Sequence, residues 1–258
     1  MAKKAKGAAS KRKGGSNAEY KAVIDDLVMG NRILYDQGVV DGYGHVSARD
    51  PRNPERFLMS RARAPGLVIA ADIMEFGMDG EPVRDDGRPI YSERFIHSEI
   101  YKARPDVWGV VHSHSPTVVP FTVTQVQLKP IRAAFFYPEV PLFDTRDVAG
   151  WTNLLISNRE LGRALAEKLG NNSVVLLRGH GNAVVGPNVR MAVYRAVYTE
   201  VNAKLLLQAK MLGGPINYLA PEEAAIMEQG RERPGHGTDR IWELLKAEAI
   251  ARTGRPKR

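Results

Sequence analysis

The apolar residues of this chain fall into two rhythms. Between Asn17 and Gln37, the positions Tyr20, Val23, Ile24, Leu27, Val28, Leu34 and Tyr35 recur at helical spacing, and Gly38 stands where such a helix would stop. A second helix is predicted over 92–104, with Phe95, Ile96, Ile100 and Ala103 on its buried stripe, Ser92 as N-cap and Pro105 as terminator. Ser157-Asn158-Arg159-Glu160 has the form of a capping box ahead of Leu161, Leu165 and Leu169. A long helix is expected from Pro187 to Met211, and shorter ones at 115–122, 221–229 and 238–251.

The other rhythm is the short unbroken apolar run. It predicts strands at 57–60, 107–111 and 173–177, and a further strand after the glycines that bracket Tyr43. Residues 67–76 read as a short strand and turn. Residues 127–140 read as an irregular strand-like stretch around the aromatic cluster Phe135-Phe136-Tyr137.

Polar residues gather where these strands end. Val107 to Val111 leads into His112-Ser113-His114. Side chains alternate along a strand, so both imidazoles face the same way. Ser173 to Leu177 leads into Arg178-Gly179-His180-Gly181. Three neutral imidazoles with an open position make a catalytic metal site, and without that ion each would be an ordinary buried histidine. Ligands of this kind suit zinc, manganese, iron or cobalt, of which zinc or manganese is the expected ion. Glu93 stands in the first turn of the second helix, where the helix dipole alone would favour an acid. Arg61 and Arg63 follow a strand end and can clamp a carboxylate, or else lie in a solvated loop.

Composition narrows these readings. The chain has no cysteine, which excludes disulfides, thiolate metal sites and a cysteine nucleophile, and fits a cytoplasmic location. No apolar run reaches membrane-spanning length. The net charge of +8 suggests nucleic acid until its position is examined. Ten basic residues lie in 1–16 and 252–258, and without them the body carries about −2. The domain expectation is therefore a basic tail over 1–16, one catalytic domain over 17–251 and a short basic tail over 252–258, with no nucleic-acid partner.

Gly44-His45-Val46-Ser47, Ser92-Glu93, His112-Ser113-His114 and Arg178-Gly179-His180-Gly181 stand in an order and spacing that resemble the class II aldolase/adducin family, over roughly Ala18 to Gly214. The resemblance implies a single α/β domain of three α/β/α layers around a mostly antiparallel sheet. It implies one divalent metal ion on His112, His114 and His180, with Glu93 as catalytic acid/base. It also implies a homotetramer whose sites are completed by a neighbouring subunit, with Tyr218 the one tyrosine placed to act across that boundary.

Sugar-phosphate aldolases of this family usually carry small phosphate-cradling residues where this chain has Gly44-His45, Ser60-Arg61 and Tyr91-Ser92. An imidazole, a guanidinium and a phenol leave less room and suit a carboxylate or a ring. The chain is similar instead to the branch of metal-dependent decarboxylases acting on hydroxylated aromatic or pyridine carboxylates. The expected substrate is a small ortho-hydroxy aromatic or heteroaromatic carboxylate. An aldolase on a hydroxy-keto compound and a non-catalytic adducin-like assembly module are the alternatives. Gly44, His45, Ser47, Ser60, Arg61, Ser92, Arg94 and Tyr218 are the expected substrate-binding residues.

Overall fold

The computed structural model of the protein describes residues 15–133, 140–231 and 238–256. Its centre is one seven-stranded sheet in the order β3-β2-β1-β4-β7-β6-β5. The strands are β1 (His45–Arg49), β2 (Arg56–Ser60), β3 (Ile73–Gly77), β4 (Gly109–Ser113), β5 (Leu142–Phe143), β6 (Val174–Leu177) and β7 (Gly181–Gly186). Every neighbouring pair is antiparallel except β5 with β6.

Alternation along these strands feeds two separate cores. Val46, Ala48, Leu58, Val111, Val174, Leu176 and Val184 turn to one face, against helices α1 (Asn17–Asp36), α6 (Val189–Leu212) and α8 (Thr238–Thr253). Phe57, Met59, Val110, Val175, Leu177, Ala183 and Val185 turn to the other, against α2 (Arg94–Ala103) and α5 (Arg159–Leu169). The result is the three-layer α/β/α arrangement with a mostly antiparallel sheet that the family resemblance implied. Short helices α3 (Val119–Thr122), α4 (Arg146–Ala149) and α7 (Pro221–Arg231) complete the described set. None of the described helices is long and apolar enough to cross a membrane.

Local chemistry explains most boundaries. Ser16 caps α1 by accepting from Glu19 N while the Glu19 carboxylate accepts from Ser16 N, a reciprocal capping box. At α5 the cap is Asn158, which accepts from Leu161 N at 2.9 Å; with Leu161 at the third position the expected box around Ser157 gives way to a simple cap. At α2 the expected Ser92 cap is replaced by Glu93, which makes no side-chain cap bond there.

Some expected elements differ. β4 ends at Ser113, so His114 lies just beyond the strand. Strand β7 was absent from the sequence reading because Gly181 and Gly186 bracket only four other residues. Gly181 is required by packing: a Cβ there would lie 2.0 Å from Ser113 O, across the β4–β7 pair. No strand forms among the described residues of 127–133, and Phe135-Phe136-Tyr137 lie outside the described residues. So do the 1–14 part of the N-terminal tail and His236.

The segment after β2 is fastened rather than solvated. Asp72 is buried and accepts from Arg61 Nε at 2.7 Å, Arg63 Nη1 at 2.8 Å and Ile69 N at 2.9 Å. Arg61 is therefore engaged by Asp72, a correction to its expected role as a free carboxylate clamp. Burial alone would push the Asp72 carboxyl up, but the Ile69 amide and the two guanidinium groups hold it below its ordinary value.

Asp72→Asn leaves two half-buried guanidinium groups without their anion and should lower unfolding stability by about 1–3 kcal/mol at neutral pH. A depressed folded-state pKa contributes stability above the ordinary value of about 4, and that contribution disappears as pH falls through the folded-state value. Thermal melts of the two proteins should therefore differ at neutral pH and converge below about pH 4. A Tm gap that persists unchanged into acid contradicts this.

Candidate metal centre and substrate pocket

Strand register brings the histidines together. His112 on β4 pairs directly with His45 on β1 and with Ala183 on β7, both antiparallel. His114 follows two residues later, and His180 occupies the turn of the β6–β7 hairpin, where Gly179 has φ +62°. Glu93 approaches from the start of α2. These four residues each offer a ligand atom, all within 4.8 Å of one another.

The nitrogen atoms that converge are fixed by what lies behind them. His112 Nδ1 sits 3.1 Å from Asn182 O, and His180 Nδ1 sits 3.0 Å from Leu154 O. A carbonyl oxygen only accepts, so both rings donate from Nδ1 and leave a bare lone pair on Nε2. Those Nε2 atoms point at His114 Nε2, at 3.2 Å from His112 and 2.9 Å from His180. Burial, then the neighbouring His112 and His180 rings, pushes the His114 pKa down to about 4, so this imidazole is neutral at pH 7. Converging neutral imidazoles with tied outer nitrogens are the donor set of a divalent cation, so the residues present fit such an ion.

Glu93 closes the group. Its Oε2 lies 3.4 Å from His112 Nε2 and 3.5 Å from His180 Nε2, while Oε1 accepts from Ile156 N at 3.0 Å. Burial would raise its pKa, whereas positive charge at His112 and His180, when those rings are protonated, holds the carboxyl well below the usual carboxylate range. Leu154 and Ile156 thus serve His180 and Glu93 from one short loop. Leu154 has φ +68°, a left-handed conformation that costs a non-glycine residue about 1–2 kcal/mol. Nothing in the sequence marked this loop, since neither residue uses its side chain.

A pocket of about 560 Å³ opens beside the group, lined by His45, Arg63, Tyr91, Ser92, Glu93 and His114 among others. Gly44 also lines it at φ +92°, and a Cβ there would meet Val40 Cγ1 at 2.6 Å and His112 O at 3.0 Å. The Tyr91 ring lies 4.4 Å from that of His45, and its hydroxyl hydrogen-bonds the Arg63 backbone.

Other expected contacts lie elsewhere. Arg94 donates to Gly80 O, Tyr91 O and the Glu81 carboxylate, so it braces the loop before α2 instead of facing substrate. Ser60 is fully buried and does not line the pocket, although its Oγ has no hydrogen-bond partner among the described residues. Ser47 stands behind His45, not beside the pocket. Tyr218 packs on the α1/α6/α8 side beneath the Lys129 ammonium, 5.3 Å from its ring, away from the four-residue group of its own chain. Arg61 does not line the pocket, whereas its neighbour Arg63, likewise held by Asp72, does.

His97 on α2 is fully buried behind His45. Its Nε2 lies 2.6 Å from His45 Nδ1 and its Nδ1 lies 2.6 Å from Ser47 Oγ, which in turn is 2.8 Å from Tyr101 Oη. Burial, reinforced by His112, lowers the His97 pKa to about 3.

The chain is similar to known proteins in sequence and in fold. A decarboxylase, tropJ, of Talaromyces stipitatus is 42% identical over 70% of this chain and 74% of its own length. A 3,4-dihydroxyphthalate decarboxylase of Terrabacter sp. is 33% identical over 89% of this chain and 96% of its own. The crystal structure of an aldolase II superfamily protein from Pseudomonas syringae superimposes with a TM-score of 0.76 at 26% identity, covering 94% of this chain and 98% of that one. Residues 25–207 match the family described as Class II Aldolase and Adducin N-terminal domain. With the sheet, the histidine group and these relatives in agreement, the chain belongs to the class II aldolase/adducin family.

Proposed function

We propose that this protein is a divalent-metal-dependent carbon–carbon lyase that removes carbon dioxide from an ortho-hydroxy aromatic or heteroaromatic carboxylate. The observation that carries the reading is the lining of the pocket beside the four-residue group. An imidazole, a guanidinium and a phenol occupy it, from His45, Arg63 and Tyr91. Flat rings and a cation complement an aromatic carboxylate better than a sugar phosphate. Two relatives bear decarboxylase names, one of them for a dihydroxyphthalate.

His112, His114 and His180 would hold the metal, zinc or manganese. When bound, it supplies Lewis-acid withdrawal of electron density from the substrate's oxygens. Glu93 is an ionised carboxylate beside the three imidazoles, so it can begin as a base. It takes the proton of the substrate's ring hydroxyl. The bond from ring carbon to carboxylate then breaks, carbon dioxide leaves and the electron pair stays on the ring carbon. Glu93 returns its proton to that carbon, leaving a phenolate product that takes up a proton from solvent. Ile156 N, holding Glu93 Oε1, leaves Oε2 as the oxygen that carries the proton. Arg63, anchored by Asp72, faces a second carboxylate of the substrate.

The active assembly is proposed to be a homotetramer with sites at subunit boundaries and Tyr218 reaching a neighbour's pocket, and its location the cytoplasm. Trp151, Met211 and Leu212 are 91%, 79% and 88% exposed in the single chain, apolar side chains that a subunit boundary would cover. Light scattering should give about four times the chain mass, and a monomer at micromolar concentration would refute the assembly.

Metal-loaded protein incubated with dihydroxyphthalates and hydroxypyridine dicarboxylates should release carbon dioxide. Glu93→Gln should keep its metal and lose about 10²–10⁴-fold in turnover. His112→Ala, His114→Ala and His180→Ala should lose metal and turnover together. Loss of metal from Glu93→Gln would make Glu93 a ligand rather than the proton carrier. Cleavage of hydroxy-keto acids with no carbon dioxide release would replace the decarboxylase by an aldolase, and absence of metal binding would favour the adducin-like module.

A further inference from the structure

Behind the pocket wall lies a row of buried polar groups that the proposed proton transfers leave idle. Tyr101 is 1% exposed, and Ser47 and His97 are fully buried. They are joined end to end at 2.8 and 2.6 Å, and His97 joins His45 at 2.6 Å. Such a row in the interior is costly unless every donor meets an acceptor, so its protons have a direction.

The direction follows from the closed end. The phenol of Tyr101 is kept protonated by burial. Ser47 Oγ is the acceptor within its reach, so Tyr101 donates to Ser47. The Ser47 hydroxyl then has its proton free for His97 Nδ1. A fully buried, neutral imidazole holds one proton, so the proton of His97 is on Nε2 and is donated to His45 Nδ1. His45 in turn keeps its proton on Nε2, which meets no hydrogen-bond partner among the described residues. His45 lines the pocket beside Glu93 and His114.

We propose that the Tyr101–Ser47–His97 chain sets His45 as a neutral Nε2–H donor in the pocket wall, and that this donor binds an anionic oxygen of the substrate, its carboxylate or ring oxygen. The inference rests on the decarboxylase reading for the identity of the substrate. His45 is the residue that touches substrate; Tyr101, Ser47 and His97 position it. The arrangement also explains why β1 reads His45-Val46-Ser47. The two polar residues share a face, one at the pocket and one beneath it, and both meet α2. A donor without positive charge discriminates in favour of an anion while leaving the charge of the adjacent imidazole group unchanged.

Two measurements that need no turnover test it. In zinc-loaded protein labelled with ¹⁵N-histidine, the nitrogen shifts should report His45 and His97 both protonated at Nε2. A proton on His45 Nδ1 overturns the proposal. Salicylate (2-hydroxybenzoate) is the binding probe. His45→Phe should weaken its binding about tenfold or more, whereas His45→Gln, whose amide retains a donor, should stay within about threefold of wild type. Equal affinity in all three overturns it. Ser47→Ala should make both His45 tautomers visible and weaken salicylate binding with zinc content unchanged, and Ser47→Thr should restore both. A Ser47→Ala protein with an unaltered His45 spectrum removes the positioning role. If wild type releases no carbon dioxide yet shows the Nε2–H tautomer and the salicylate pattern, the decarboxylase reading fails and the donor assignment stands.

Discussion

Three imidazole lone pairs aimed at one point are mutually repulsive unless a cation lies between them, and the structure accepts that conflict at the end of its central strands. His112 and His180 each turn Nε2 inward because Nδ1 donates to a carbonyl that cannot donate back, Asn182 O for one and Leu154 O for the other. Both carbonyls belong to the backbone. The ring orientations are therefore built into the fold, and no side-chain substitution outside the group can release them directly.

The surrounding strain follows from that geometry. Gly181 must lack a side chain for β7 to lie against the Ser113 carbonyl next to His114. Leu154 adopts a left-handed backbone to present its carbonyl to His180, and two residues later Ile156 N grips Glu93. One loop thus fixes the His180 imidazole and the Glu93 carboxylate in common register. Such local costs are tolerated where the neighbouring sheet over-determines the conformation, and here two cores bracket it.

Much of this was legible in the residues. Strand alternation and the paired histidines predicted a common face, and the third histidine between glycines completed a set that the structure brings within 4.8 Å. The family's spacing distinguished Glu93 from an ordinary helix-dipole acid. What failed to read were interactions whose partner is backbone or is remote in sequence. Asp72 claims Arg61 across the loop, Gly80 and Glu81 claim Arg94, and the carbonyl of Leu154 carries no signature in its side chain. Ser47 was right in neighbourhood and wrong in depth, because periodicity gives the face of a strand but not what stands between that face and the cavity. Strand β7 escaped for a related reason: its four inner residues are too few for a pattern, and its pairing with β4 and β6 defines it.

The central claim is that three imidazoles, two of them held from behind by backbone carbonyls, converge on one divalent ion. X-ray absorption at the zinc edge of the loaded protein measures this directly. The account predicts three nitrogen scatterers of imidazole type at about 2.0–2.1 Å, reduced to two or abolished in His180→Ala. A zinc spectrum with fewer than three imidazoles, or one unchanged by loss of His180, would contradict it.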